Sequence, residues 1–322
     1  MARSLANPNI TRSRLVLEVA SEMVGGTALQ SNPRYLQAKV ALRAATRGRE
    51  VGLSGTSTAE GIWAVARREI DLSIVNPACV LSVAARGAGI FKTPIPIRAV
   101  TVIPSFDQFV IAVRRDVGLS SFEEIATRRP RLRVSMRGMK DHTLHDMFDD
   151  LAAAAGFSRA DLAAWGGGIR QEGALPHPGT AKFKALLAGE IDAIFDEGAH
   201  GWVNEVQDAG IDILPIGEVT MRKLEAMGYR RGLLPKADFP KLPRDLLTLD
   251  FSGWTVFVHA ETEDEIVADI CAALEARKDR ILWDGEGPLP LDRMCRETPA
   301  TPQTVPLHSA AERFWRERGY LR

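Results

Sequence analysis

The chain has 322 residues, 45% of them hydrophobic, and its 41 basic side chains balance 41 acidic ones. That length is long for a single core and accommodates two α/β lobes, while a net charge of zero sets up no field that would recruit nucleic acid or an anionic membrane surface. No stretch reaches the length of a membrane span, so no membrane insertion is expected, and the odd set Cys79, Cys271 and Cys295 shows no CxxC or metal-ligand spacing.

The N-terminal run MARSLANPNITRSRLVLEV lacks the apolar core and small-residue cleavage site of a secretory signal. Its apolar residues 15–19 are expected to form the opening strand, leading into Gly25-Gly26-Thr27, a tight turn that offers backbone N–H groups at a helix start. Residues 35–45 carry Leu36, Val40 and Leu42 at helical spacing. A second strand over 50–53 ends in Ser54-Gly55-Thr56-Ser57-Thr58, followed by a helix over 60–68 and another over 79–86. Two β-rich runs, 98–103 and 109–113, flank Pro104-Ser105-Phe106-Asp107, where the chain is expected to cross between lobes. Ser121 and Glu124 stand in capping-box spacing before the next helix. A strand over 132–135 leads through Met136-Arg137-Gly138-Met139-Lys140-Asp141-His142-Thr143 into a helix that runs to Ala155 and stops at Gly156. Further on come a strand over 211–216, a helix over 217–228, an irregular stretch over 233–245 and a strand over 254–258. The chain closes with a long helix over 261–282, a proline-rich segment over 287–306 and a last helix over 309–320.

One unit occurs twice. Residues 64–77 read AVARREIDLSIVNP and residues 185–198 read ALLAGEIDAIFDEG. Each is the end of an amphipathic helix, then Glu-Ile-Asp, then a short apolar strand and a loop, Asn76-Pro77-Ala78 in one copy and Asp196-Glu197-Gly198 in the other. A helix feeding a buried strand is half of a βαβ unit and places that strand in a parallel sheet. Ligands at such sheets bind beyond the carboxyl ends of the strands, so two copies in separate halves predict two lobes facing one cleft, with Asn76 and Glu197 on it.

The candidate ligand-binding residues follow from those loops. Gly25, Gly26 and Thr27, with Thr56 and Ser57, sit where a strand becomes a helix and offer N–H and hydroxyl donors to a carboxylate; ordinary capping explains them equally well. Arg137 follows a second-lobe strand, where its guanidinium can grip a carboxylate bidentately. Glu197 can accept from a ligand amine or hydroxyl, or pair with Arg137 in the empty protein. His142 and Thr143 complete the set on the Arg137 loop. The run Asp141-His142-Thr143-Leu144-His145-Asp146 also invites a metal, but its one-turn pairs split between neighbouring faces, so a solvated helix start is expected and no metal or cofactor is called for. Trp165, Trp202 and Trp254 are candidates for cleft walls or for core. There is no GxSxG, HExxH, P-loop or GxGxxG motif after a strand, which favours binding over catalysis.

In their order, Gly25-Gly26-Thr27, Ser54-Gly55-Thr56-Ser57, the Glu-Ile-Asp strand ending at Asn76-Pro77, the run RAVTVIPSFDQFVIAVRRDVGLSSFEEIATRRPRLRVS over 98–135 and PLHSAAERFW over 306–315 resemble the TAXI-type solute receptors of TRAP transporters. The resemblance implies the α/β, two-lobed type II periplasmic-binding-protein fold with a ligand cleft between lobes. Lobe 1 would comprise residues 14–105 and 250–322, and lobe 2 residues 106–249. It implies capture of a small organic anion, a carboxylate or an amino acid, for TRAP membrane subunits in the periplasm, with no catalytic residue and no cofactor. Two features depart from the family pattern. The small-residue loop after the second-lobe strand is replaced by Arg137, Lys140, Asp141 and His142, and no export signal is recognised, which leaves the cytoplasm open. Cytoplasmic enzymes of the same fold, decarboxylases or dehydratases acting on a small aromatic or cyclic acid, are the alternative.

Overall fold

The twice-occurring Glu-Ile-Asp unit makes the same local structure in both copies. This is seen in a computed structural model that describes residues 8–23, 38–42, 50–55 and 59–321. Ile70 and Ile191 are both buried. In the first copy the Asp71 N–H donates to the Gly52 carbonyl at 2.7 Å, and the Gly52 N–H returns to Asp71 Oδ2 at 2.8 Å. In the second, the Asp192 N–H donates to the Arg133 carbonyl at 2.8 Å, and the Arg133 N–H to Asp192 Oδ2 at 2.8 Å. The isoleucine fills the core beneath the turn, and the aspartate fastens the incoming strand to both backbone groups of its parallel neighbour.

Along the chain come α1 (Pro8–Met23), β1 (Ala38–Leu42), β2 (Val51–Gly55), α2 (Glu60–Ala66), β3 (Leu72–Val75), α3 (Cys79–Arg86) and β4 (Ile97–Ile103). Next are β5 (Val110–Arg114), α4 (Glu124–Arg128), β6 (Arg133–Met136), α5 (Thr143–Ala155), α6 (Arg159–Ala164), β7 (Gly168–Gln171) and α7 (Ala181–Leu187). They are followed by β8 (Ala193–Asp196), α8 (Val203–Gln207), β9 (Ile211–Ile213), α9 (Glu218–Met227), β10 (Arg231–Leu234) and β11 (Leu246–Leu249). The chain ends with β12 (Trp254–His259), α10 (Asp264–Ala276), α11 (Leu291–Met294) and α12 (Ser309–Glu317). The fold is mixed α/β, in two units: unit 1 takes the described residues up to Phe106 and from Ser252, and unit 2 is Asp107–Phe251.

In unit 1 the described strands form one sheet in the order β1-β2-β3-β12-β4. β2 and β3 are parallel, and β12 runs antiparallel to both β3 and β4, so β2, β3 and β4 end on the same edge. One face of this sheet is covered by Leu15, Val16 and Val19 of α1, Ile266, Ile270 and Leu274 of α10, and Trp315 of α12. Trp315 also donates its indole N–H to the Val100 carbonyl at 2.8 Å, fixing the last helix to the sheet.

In unit 2 the described strands form a sheet in the order β7-β6-β8-β5-β9, beside a separate antiparallel β10-β11 ribbon. β6 is parallel to β7 and β8, and β5 runs against β8 and β9. Carboxyl ends of β6, β7, β8 and β9 and the amino end of β5 therefore share one edge. The two strands that follow Glu-Ile-Asp, β3 and β8, fall in separate sheets, each flanked on one side by an antiparallel strand, β12 beside β3 and β5 beside β8. Leu144, Met147, Phe148 and Leu151 of α5 are buried at one-turn spacing, and Phe148 meets Phe195 of β8 with ring centroids 5.6 Å apart. Where unit 2 begins and ends its backbone is paired: the Phe251 N–H donates to the Asp107 carbonyl and the Phe109 N–H to the Leu249 carbonyl, both at 2.9 Å.

Several sequence expectations need correction. Residues 15–19 lie in α1, not in a strand: Leu15, Val16, Val19 and Ala20 are buried, a helical stripe, and Arg277 at the end of α10 bonds Glu22 at 2.6 Å to hold that helix. Residues 38–42, expected helical, form β1, because pairing with β2 from Ala38↔Gly55 to Leu42↔Val51 outweighs a weak local helical spacing. The Ser121–Glu124 capping box does not form; the Glu124 carboxylate accepts instead from the Ser120 N–H and hydroxyl, at 2.9 and 2.6 Å. The long helix expected over 261–282 stops at Ala276, since the Lys278 carbonyl is taken by the Leu289 N–H at 2.9 Å. The irregular stretch expected over 233–245 starts inside β10, and β7, which was not anticipated, begins at the last residue of the triple glycine.

Candidate functional site

The carboxyl edge of the unit 2 sheet collects charge from four elements. Arg137 follows β6, Asp196 ends β8 with Glu197 behind it, Lys182 lies in the first turn of α7, and Asp107 precedes β5. All but Asp107 are classed among the buried polar side chains, with Asp196 fully enclosed. Arg137 donates from Nε and Nη2 to Asp196 Oδ1, at 3.2 and 2.7 Å, and from Nη2 to Glu197 Oε1 at 2.8 Å. Lys182 Nζ donates to the other Asp196 oxygen and to the Met136 carbonyl, both at 3.1 Å. Burial pushes the Arg137 guanidinium down, but Asp196 and Glu197 together outweigh it and hold the group above its usual range. Burial wins at Lys182, whose ammonium lies below its usual range despite Asp196.

The Glu197 loop is held from behind. Gly198 has φ 76°, a left-handed conformation that glycine adopts without strain, and it turns its N–H toward Asp107. Asp107 accepts from the N–H groups of Gln108 at 2.7 Å, Gly198 at 2.8 Å and Ala199 at 3.1 Å. Burial pushes the Asp107 carboxyl up and the Glu197 charge adds to that, while these N–H donors pull it back. Trp202 donates its indole N–H to the Glu197 carbonyl at 2.9 Å.

His142 is the N-cap of α5. Its Nδ1 accepts from the Leu144 N–H at 3.2 Å, so the proton sits on Nε2, which faces Glu197 Oε1 at 3.6 Å. The ring stacks on Phe251, 6.2 Å between centroids with planes 14° apart. His145 is taken up locally: its Nε2 lies 3.0 Å from the Met139 carbonyl, and Gln171 Nε2 lies 3.4 Å from its Nδ1. The expected solvated helix start is thus corrected, since His142, Thr143 and His145 are all buried.

The structure therefore brings Arg137, His142 and Glu197 together, with Thr143 at the buried start of α5. Asn76 belongs to unit 1, where it is buried and donates to the Gly253 carbonyl at 3.1 Å. Gly25, Gly26, Thr27, Thr56 and Ser57 lie outside the described residues. Trp202 and Trp254 are core side chains of units 2 and 1, which corrects their candidacy as walls of a cleft. Sequence reasoning missed Asp196, Lys182 and Asp107 as parts of this cluster. Only Asp196 left a signal, by standing beside Glu197 in the repeated loop. A separate hollow of about 680 Å³ in unit 1, walled by Glu22, Asp269, Lys278 and Arg318 among others, contains none of the residues singled out in the sequence.

Among the described residues no three of His, Cys, Asp and Glu gather so as to hold a metal ion. The acidic face of α5 has a different consequence. Burial, with the negative charges of Asp149 and Asp150, raises the Asp146 carboxyl from 3.8 to about 6. Between those values the folded state binds more protons than the unfolded one, so stability falls as pH rises, and the full cost is present above about pH 6. Asp146→Asn is expected to raise stability at pH 7.5 by about 1–2 kcal/mol and to leave it unchanged near pH 3.5. Urea midpoints across that range check this; an equal rise at both ends would trace the effect to packing instead.

No helix of the described residues is long and apolar enough to cross a membrane. No curated protein matches the chain. Among solved structures it is similar to a substrate-binding protein of an amino acid ABC transporter, with 15% identity over 69% of this chain and 71% of that one and a TM-score of 0.30. It is also similar to a TctC solute-binding protein from Polaromonas, at 18% identity over 68% of this chain and 67% of that one, with a TM-score of 0.34. A third, described as a periplasmic transporter, is 18% identical over 95% of this chain and 87% of that one, with a TM-score of 0.36. The sequence profile of the NMT1-like family matches residues 38–319, most of the chain, and the protein belongs to that family.

Proposed function

We propose that the protein is a solute-binding component of a transporter, working in the periplasm, that holds a small organic carboxylate at the carboxyl edge of the unit 2 sheet. The observation that carries this reading is the convergence there of Arg137 and His142, from the loop between β6 and α5, with Glu197, from the loop after β8, at the edge where open α/β sheets take their ligands. Arg137 is the group that addresses the carboxylate, through a guanidinium suited to paired oxygens. The order of motifs along the chain supports the TAXI type of TRAP receptor, with TRAP membrane subunits as the partners that take the solute onward. Thr143, Asn76 and the loops at Gly25, Gly26, Thr27, Thr56 and Ser57 are proposed as further ligand contacts.

A thermal-shift screen of carboxylates, amino acids, sulfonates and neutral sugars tests this. A bound carboxylate at a hundredfold excess over its Kd should stabilise the protein by about 2.7 kcal/mol, a shift of several degrees. Arg137→Ala should abolish those shifts. If only sugars or other neutral compounds raise the midpoint, the carboxylate assignment fails.

The His142–Glu197 pair favours a second reading, an enzyme of the same fold in which that pair moves a proton. Turnover of a bound acid that stops in His142→Asn would support it over transport.

A further inference from the structure

We propose that unit 2 binds one internal water molecule beneath its charge cluster, held by the Ser135 hydroxyl, the Lys182 ammonium and the Asp196 carboxylate. The site stands apart from the solute reading above, because all three groups lie in the interior of unit 2 and none needs a solute.

Each group comes from a different element and has hydrogen-bonding capacity left over. Ser135 lies in β6, is fully buried, and its Oγ has no partner among the described residues. Lys182 lies in α7 with 1% of its side chain exposed. An ammonium carries three N–H donors, and two of them go to Asp196 Oδ2 and the Met136 carbonyl. Asp196 ends β8. Its Oδ1 accepts from Arg137 and from the Glu197 N–H, whereas among the described residues its Oδ2 accepts from Lys182 alone. A hydroxyl, an ammonium donor and a carboxylate lone pair are left to be satisfied in an interior closed to bulk solvent.

Strand register puts these groups together. Ser135 is paired with Ile194 in the parallel β6–β8 ladder, so both side chains stand on one face of the sheet, and Asp196, two residues on, stands there too. That face is covered by α7, since Ile194 packs with Phe183 and Leu186. Lys182 reaches across from α7 to the carbonyl of Met136, the residue next to Ser135. Ser135 therefore sits one layer beneath the Lys182–Asp196 bond, on the same side of the sheet but beyond direct hydrogen-bond reach. A water between them accepts from Lys182, donates one hydrogen to Asp196 Oδ2 and shares its remaining bond with Ser135. Three partners are the usual number for a buried water. With it in place every N–H of Lys182 is used, and Asp196 is steadied on the side away from Arg137.

High-resolution diffraction from the full chain should show a water within about 3.2 Å of both Ser135 Oγ and Lys182 Nζ. Ser135→Ala should lower the melting temperature by about 2–4 °C, because the water loses a partner. A hydroxyl buried with no water beside it predicts the opposite sign, since removing it relieves an unsatisfied group. In a Lys182→Met background the effect of Ser135→Ala should fall by at least half. Clear density with no water there, or a melting temperature that is unchanged or raised in Ser135→Ala, overturns the proposal. An undiminished effect in the Lys182→Met background overturns the bridge to Lys182. Should Lys182→Met not fold, the diffraction result and the sign of the Ser135→Ala shift decide.

Discussion

Replacing Asp196 with asparagine is expected to cost about 3–5 kcal/mol of stability, the range for removing one member of a buried ion pair. Asp196 is fully enclosed and serves two cations at once, and its Oδ1 also accepts the Glu197 N–H at 3.0 Å. The amide keeps the shape but not the charge, so Arg137 and Lys182 stay buried with a single carboxylate between them. Lys182 is already inclined to lose its proton, and this relieves part of the cost at high pH. Urea denaturation at pH 7 measures the effect. The double variant Asp196→Asn/Lys182→Met, which removes one stranded cation, should recover part of it. A loss below about 1 kcal/mol in the single variant would mean that water reaches this cluster and screens it.

Trp202→Ala should be about as damaging, at roughly 3–5 kcal/mol, because a fully buried indole leaves a cavity that its neighbours close only in part. Those neighbours include Phe183, Leu186, Val203 and Val206. Trp202→Phe separates packing from hydrogen bonding: it keeps much of the ring volume but releases the Glu197 carbonyl, and about 1–2 kcal/mol is expected. The phenylalanine variant should also weaken solute binding more than its stability loss accounts for, since the Glu197 backbone is no longer fixed. Denaturation curves paired with calorimetry check both parts. Equal losses for Ala and Phe would show that the hydrogen bond, and not the indole volume, carries the effect.

Legible in the sequence were the strands that follow Glu-Ile-Asp, because a buried isoleucine and a strand-fastening aspartate act within a few residues of the strand they start. Helix α3 and the stop of α5 at Gly156 were equally local, resting on apolar spacing and a left-handed glycine. Helix α1 was not legible: Leu-Val-Leu-Glu-Val alternates as readily as it spirals, and α10, its partner, lies at the far end of the chain. Strand β1 depends in the same way on its pairing with β2. At the site, Arg137 and Glu197 were legible from topology alone, since each follows a strand whose carboxyl end was foreseeable. Lys182 and Asp107 were not, because one comes from a helix start and the other from a crossing, and only the folded sheet edge brings them to Asp196 and Glu197.

Unit 2 leaves and rejoins the rest of the chain at adjacent points, with Phe251 bonded to Asp107 and Gln108 bridged to Asp250. Such an arrangement makes it an insertion in the genetic sense, a contiguous cassette whose ends meet and whose core is its own. Arg137, His142, Lys182, Asp196 and Glu197 all lie inside that cassette. Changes that retune the charge cluster can therefore be made within one uninterrupted stretch of coding sequence.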